Sequence, residues 1–300
     1  MPADLHAAED FMLRNARLVE RRRWELLFAN GDAEPVIDAL RGYQNADGGF
    51  GHALEPDGRG SASQPLHILS AFEVLDDLGA FAHPVGRAAI DYLGTIAGPN
   101  GGIPNVLPSI ADAPRPPWWD FESSATPDGS LIPTGQLVAY LLKHRVDAAW
   151  LPRAIEFCWA KIEAIQHTFP YEVHQAVSFL NHASDRARAE QQAERLGAVV
   201  RKARLVAFDL NDISDVRIPP GFQPGEVHTP LDYAPTPHSL ARRWFTDAEI
   251  ERDLEALAGA QDADGGWWFR WGRWNPATTI EWRGVMTILA LKTLRAYGRL

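Results

Sequence analysis

Gln44-Asn45-Ala46-Asp47-Gly48-Gly49-Phe50 and Gln261-Asp262-Ala263-Asp264-Gly265-Gly266-Trp267 are two copies of one motif, set near opposite ends of a 300-residue chain. A loop follows each copy, then an apolar run that stops at glycine, Gly79 in one case and Gly298 in the other. Two segments that stay in step for so long form an internal repeat, and a repeat constrains architecture before any single residue does. The motif itself reads as scaffold. Glycine reaches positive φ, a glutamine amide bonds free backbone groups at helix ends, and an aromatic ring covers the turn. Gly98-Pro99-Asn100-Gly101-Gly102 looks like a decayed third copy.

Working outward, Phe11, Leu13, Ala16, Val19, Leu26 and Leu27 recur at helical spacing and predict a helix over about residues 7–30, stopped by Asn30-Gly31. Glu34-Pro35 opens a second helix, with proline in the first turn where its missing N–H does no harm. Further helices are expected over about 64–78, 84–97, 131–144, 148–166, 171–183, 186–208, 247–260 and 279–297. The run 64–78 is apolar nearly all round, which predicts burial on two sides. The run 186–208 is heavily charged and predicts an outer, solvent-facing helix. Thr246 with Glu249 forms a capping-box start. Two long loops remain, about 98–130 and 209–237, and loops of that length inside a compact domain are usually functional.

No segment alternates as a strand would. The fold class expected is all-α, an α/α toroid of about five to six helical hairpins forming one domain over residues 1–300, with apolar inner helices around a central cavity. Ring closure would make the first and last hairpins neighbours, which suits a repeat at both ends. An open solenoid would want more regular periods.

Composition narrows the partners. The net charge is −10 and no stretch gathers Lys and Arg into a stripe, which argues against nucleic acid. Cys158 is the single cysteine, so an internal disulfide and a cysteine zinc cage are excluded. There is neither a signal-like start nor an uncharged apolar run of about 18 residues, so no membrane span is expected and a cytoplasmic location is. No His-Glu-x-x-His or similar spacing occurs; no metal and no cofactor are expected.

The motif carries a resemblance. Gln261-x-x-Asp264-Gly265-Gly266-Trp267, between an outer and an inner helix, resembles the QW repeat of squalene–hopene cyclases and related terpenoid cyclases, whose toroid fold the protein prenyltransferase β-subunits share. Gln44 to Phe50 is a copy with Phe for Trp, and the chain as a whole resembles single-toroid actinobacterial-type proteins. The resemblance implies the toroid fold. The family's catalytic motifs have no counterpart: Asp262-Ala263-Asp264-Gly265 is not Asp-x-Asp-Asp, Asp76-Asp77 continues as Leu78-Gly79-Ala80, and Cys158 lacks the aspartate of a prenyltransferase zinc site.

Candidate site residues are therefore chosen on chemistry. Trp118, Trp119, Phe121, Trp267, Trp268, Trp271, Trp274 and Trp282 crowd into two segments near turns, with His52 in the loop after the first turn. Aromatic faces lining a cavity would bind a small hydrophobic molecule and stabilise developing positive charge. Glu55, Asp120, Asp232 and Glu281 lie in or beside inter-helix loops next to apolar neighbours, where desolvation can raise a carboxyl pKa and make it a general acid. The function expected is that of a terpenoid cyclase-like enzyme, an isomerase or lyase using acid-initiated cyclisation or isomerisation. A carbohydrate-active lyase or hydrolase, or a non-catalytic binding toroid, are the alternatives. A saccharide site would be an open groove with basic residues near its acids; a terpenoid site would be a closed pocket with one acid among aromatics.

Overall fold

Each of the three glycine turns closes with the same bonds in this computed structural model, which describes residues 3–120 and 129–300. In the first, Asn45 N–H donates to Gly49 O, Gly48 N–H to Asn45 O, and Gly49 N–H to the Asp47 carboxylate (2.9, 3.0 and 2.9 Å). Asp262, Gly265, Gly266 and Asp264 repeat the pattern, and Gly98, Gly101, Gly102 and Asn100 repeat it again, so the third copy is a full structural copy. Gly48, Gly101 and Gly265 take φ of +89°, +88° and +93°. Each also meets the backbone of a helix start: an added Cβ would lie 2.6 Å from Ala88 O, 2.3 Å from Arg153 C and 2.0 Å from Ala7 O respectively. No side chain larger than hydrogen fits there.

The helices that dock on these turns follow a rule. We number the helices α1 (Leu5–Asn15), α2 (Leu18–Phe28), α3 (Glu34–Arg41), α4 (Pro65–Leu78), α5 (Pro84–Ile96), α6 (Leu131–Lys143), α7 (Leu151–Ala164), α8 (Pro170–His182), α9 (Arg186–Lys202), α10 (Pro230–Tyr233), α11 (Asp247–Gly259) and α12 (Pro276–Ala296). The turn before α4 receives the start of α5, and the turn before α6 receives α7. The turn before α12 has no later helix to receive, and α1 takes that place. The motif glutamines secure the arrangement: Gln44 donates to Gly48 O and Val85 O, Gln261 to Gly265 O and Asp4 O, while Asp4 N–H returns a bond of 2.7 Å to Gln261.

Among the described residues the chain is all-helical, with three short 3-10 turns and only two isolated bridges, Gln44–Phe50 and Ile103–Ser130. No described helix is long and apolar enough to cross a membrane. Three expectations need correction. Residues 7–30 form two helices, because Ala16 turns extended, takes the Arg21 Nε–H on its carbonyl at 2.7 Å and seats its Cβ against the backbone at Gly284. The charged helix stops at Lys202, where Arg204 adopts φ +55° and Leu205 N–H reaches back to Val200 O. The second long loop contains α10, opened by a capping box between Thr229 and Asp232.

The chain divides into two compact units. One comprises Glu25–Ile165 and Ser178–Asp185; within it α4 packs on α3, α5 and α6, and α6 on α7. Ile68, Ala71, Phe72, Val74 and Leu75 of α4 are all buried, as the all-round apolar pattern requires, and a large side chain so buried stabilises by about 1.5–3 kcal/mol. The other comprises Met1–Trp24, Gln166–Val177 and Arg186–Leu300; within it α1 and α11 pack on α12, and α9 on the 3-10 turn Leu240–Trp244.

Candidate functional site

One face of α9 carries Glu190, Ala193, Glu194, Gly197, Ala198 and Arg201, residues three or four apart that a helix brings into line. Opposite lies the turn Leu240–Trp244, started by Ser239, whose hydroxyl accepts from Ala241 N–H. Between them runs an open groove of about 710 Å³, within the size range of small-ligand sites. Gly197 sets its floor. A Cβ there would stand 2.5 Å from Trp244 Cδ1, so only glycine lets the helix backbone lie against the indole. The Trp244 Nε1–H is buried and has no hydrogen-bond partner among the described residues.

Arginines hold the walls. Arg201 donates through Nε and Nη2 to Trp244 O (3.2 and 2.6 Å) and through Nη1 and Nη2 to Glu249 (3.1 and 2.9 Å), tying the turn to the start of α11. Burial pushes the Glu249 carboxyl up, but these bonds outweigh it and hold it below its ordinary range. Arg243 and Glu190 pair at 3.2 Å with both side chains largely open to solvent. Glu194 makes no ion pair among the described residues.

Beneath the groove an aromatic chain runs inward. Trp244 contacts Tyr233 at 6.0 Å between ring centroids, Tyr233 contacts His174 at 5.1 Å, and His174 contacts His228 at 4.9 Å. Tyr171 lies edge-on to His228 at 5.0 Å, and its hydroxyl donates a hydrogen bond to Glu226 at 2.9 Å. Tyr233 spends its hydroxyl on Leu205 O at 2.8 Å. The Nε2 atoms of His174 and His228 are covered and lack partners among the described residues, although His174 keeps a partly accessible edge. Burial pushes His174 down to about 4 and, reinforced by the neighbouring His174 charge, His228 down to about 3; both are neutral at pH 7. Burial also pushes the carboxyl of Asp253, which caps Leu231 N–H at 2.7 Å, up to about 6. Among the described residues no group of three or more metal-binding side chains converges.

The described residues among those singled out from the sequence lie elsewhere, and none of them lines the groove. In the same unit, Trp267 is core, its indole donating to Leu257 O and its N–H to Thr287 Oγ1. Trp268 is exposed and sits with guanidiniums at 4.2 Å (Arg273) and 4.1 Å (Arg283). Trp271 and Trp282 are brought together at 4.9 Å with Phe269, while Trp274 is half-buried. Glu281 lies 3.9 Å from Arg17. Asp232 accepts Thr229 N–H at 2.7 Å and pairs with Arg270; burial pushes its carboxyl up, but Arg270, His228, His174 and the Thr229 N–H together outweigh this and the net direction is down. In the other unit, His52 is exposed and bonds Asn45 at 3.0 Å. Glu55 is buried and accepts the N–H groups of Asp57 and Gly58. Trp119 joins Val106 and Ile110, with Leu66 and Trp118 packed on them, and Asp120 pairs with Arg115 at 3.0 Å. Phe121 lies outside the described residues. Glu190, Glu194, Arg201 and Trp244 went unread as a site. A glycine in the middle of a charged helix was the available signal, since it marks a close approach.

No protein-family model matches the chain, and no curated protein is significantly similar to it. A crystal structure of a protein from Actinoplanes is similar to it with a TM-score of 0.58 and 15% sequence identity, over 98% of this chain and 98% of that one. Similarity at that identity shows a shared fold.

Proposed function

We propose that the chain is an α/α toroid that binds a saccharide in the open groove between α9 and Leu240–Trp244. The ring reading is supported by α1, which takes on the last glycine turn the place α5 and α7 take on the first two. The ligand reading rests on one observation, a groove that joins the Trp244 indole to carboxylates, the Gln191 amide and guanidiniums. Sugar rings offer C–H faces that pack on an aromatic ring and hydroxyls that both donate and accept, which such a mixture satisfies. A hydrophobic ligand would desolvate those groups and leave the Glu194 carboxylate unpaired, at a cost.

Binding without hydrolysis is the better reading of the acids. Glycoside hydrolysis needs two carboxyls flanking the scissile bond. Glu190 and Glu194 are four apart on one helix and approach a bound ring from the same side. Calorimetric titration with a panel of neutral and charged oligosaccharides, and with a prenyl alcohol, tests the proposal. Saccharide binding that weakens about tenfold, about 1.4 kcal/mol, in Trp244→Ala is expected. Binding of the prenyl alcohol alone would overturn it.

The hydrophobic, acid-initiated reading is favoured by a separate observation, the Asp253 carboxyl near 6 beside α10 and the aromatic chain. A general acid works best with a pKa close to the operating pH, and the Asp253 carboxyl, near 6, comes closer to that condition than Asp232, which is held below its ordinary range. Turnover of a prenyl substrate that disappears in Asp253→Asn would establish this reading instead.

A further inference from the structure

We infer that the ligand of the α9 groove carries a positive charge, and within the saccharide reading on which this rests, that it is an amino sugar with a free ammonium group. Charge bookkeeping around the groove points there. Arg243 is balanced by Glu190 at 3.2 Å, and Arg201 by Glu249 at 2.9 Å. Arg201 is also committed to Trp244 O through two donors. Glu194 is the one charge on the lining that nothing among the described residues balances.

Geometry adds a second, independent argument. Glu194 stands one helical turn from Gly197, the residue that lies on the indole of Trp244. A carboxylate beside a tryptophan is the pairing that holds a cation, through an ion pair on one side and attraction to the ring on the other. The chain as a whole is acidic, at −10, and so favours the approach of a cation over that of an anion. An acidic sugar would face Glu194 and would have to displace Glu190 from Arg243. An N-acetylated sugar would leave Glu194 unanswered.

The experiment titrates the full chain with a glucosamine oligosaccharide and its N-acetylated counterpart, at low ionic strength and below the pKa of the sugar amine. A uronic acid oligosaccharide is the third probe. We expect the free amine to bind about tenfold more tightly than the N-acetylated form. Glu194→Gln should abolish that difference, and added salt should weaken the amine more than the N-acetylated form. Equal binding of the two forms, or tighter binding of the uronic acid, overturns the inference and leaves the saccharide reading standing. Amine preference that survives in Glu194→Gln overturns the assignment to this carboxylate. Binding of none of the three overturns both the inference and the reading beneath it.

Discussion

Each unit places aromatic rings beside carboxyls and histidines, and the two spend those groups in opposite ways. In the unit built on α4, Glu55 is consumed by its own loop, accepting Asp57 N–H at 2.8 Å and Gly58 N–H at 3.1 Å, while Glu55 N–H donates to Nδ1 of His67 at 2.9 Å. Trp119 is edge-on to His67, and Gly58 fits between them. The acid next to the aromatic is a loop staple. In the unit built on α12, the chain Trp244, Tyr233, His174, His228 leaves three buried nitrogens uncommitted, and an open groove lies above it. Proximity of acids and rings marks a place where polar groups are buried. Whether it marks a site depends on whether the backbone has already used them.

The sharpest way to break that contrast is Glu55→Ala. Removing a buried acceptor leaves two backbone donors unsatisfied, and the chain should lose about 3 kcal/mol of stability in denaturant melts while oligosaccharide affinity stays unchanged. A loss of affinity at unchanged stability would make Glu55 a ligand-binding group and erase the distinction.

Acid titration comes next. The unfolded imidazoles titrate near 6.5 and the folded ones near 4 and 3, so the unfolded chain binds more protons below pH 6.5. The stability they contribute is complete above pH 6.5 and is lost as pH falls through about 4 toward 3. Asp253 opposes this, since its folded carboxyl titrates near 6 rather than 3.8; its contribution is complete below pH 3.8 and is lost as pH rises through about 6. Two histidines outweigh one carboxyl, so the melting temperature should drop between pH 6.5 and 4.5. The ceiling is about 1.4 kcal/mol per pH unit for each imidazole. His228→Gln should flatten that limb almost completely in thermal melts, because the remaining imidazole and the Asp253 carboxyl then nearly cancel; an unchanged slope would mean the ring is not buried neutral.

The mildest test is Gly197→Ala. On helix propensity alone the change should stabilise by about 0.5–1 kcal/mol. The contact with Trp244 should cancel that gain and tilt the indole, so stability should move by less than about 1 kcal/mol while affinity falls a few-fold. A stabilised protein with full affinity would show that the indole floor is not the binding surface.

The glycine turns were legible in the sequence because their bonds are local. Gln44 to Gly48, Asp47 to Gly49 and the positive φ of Gly48 all lie within a few residues, so the motif carries its own geometry and repeats it at Gly265. The ends of α4 and α12 were legible for the same reason, through Gly79 and Gly298. The groove was not. Trp244 becomes its floor because Gly197, 47 positions earlier, lies against the ring, and its carbonyl is held by Arg201. The sequence marked Asp232 as an acid among apolar neighbours, yet Arg270 and its other neighbours draw its carboxyl down, while Asp253, unremarkable on a helix face, is pushed up to about 6 at the buried start of α10. Hydrogen bonds inside a turn follow from the order of residues. Charge balance and desolvation depend on which distant side chains arrive beside a group, and only the folded chain decides that.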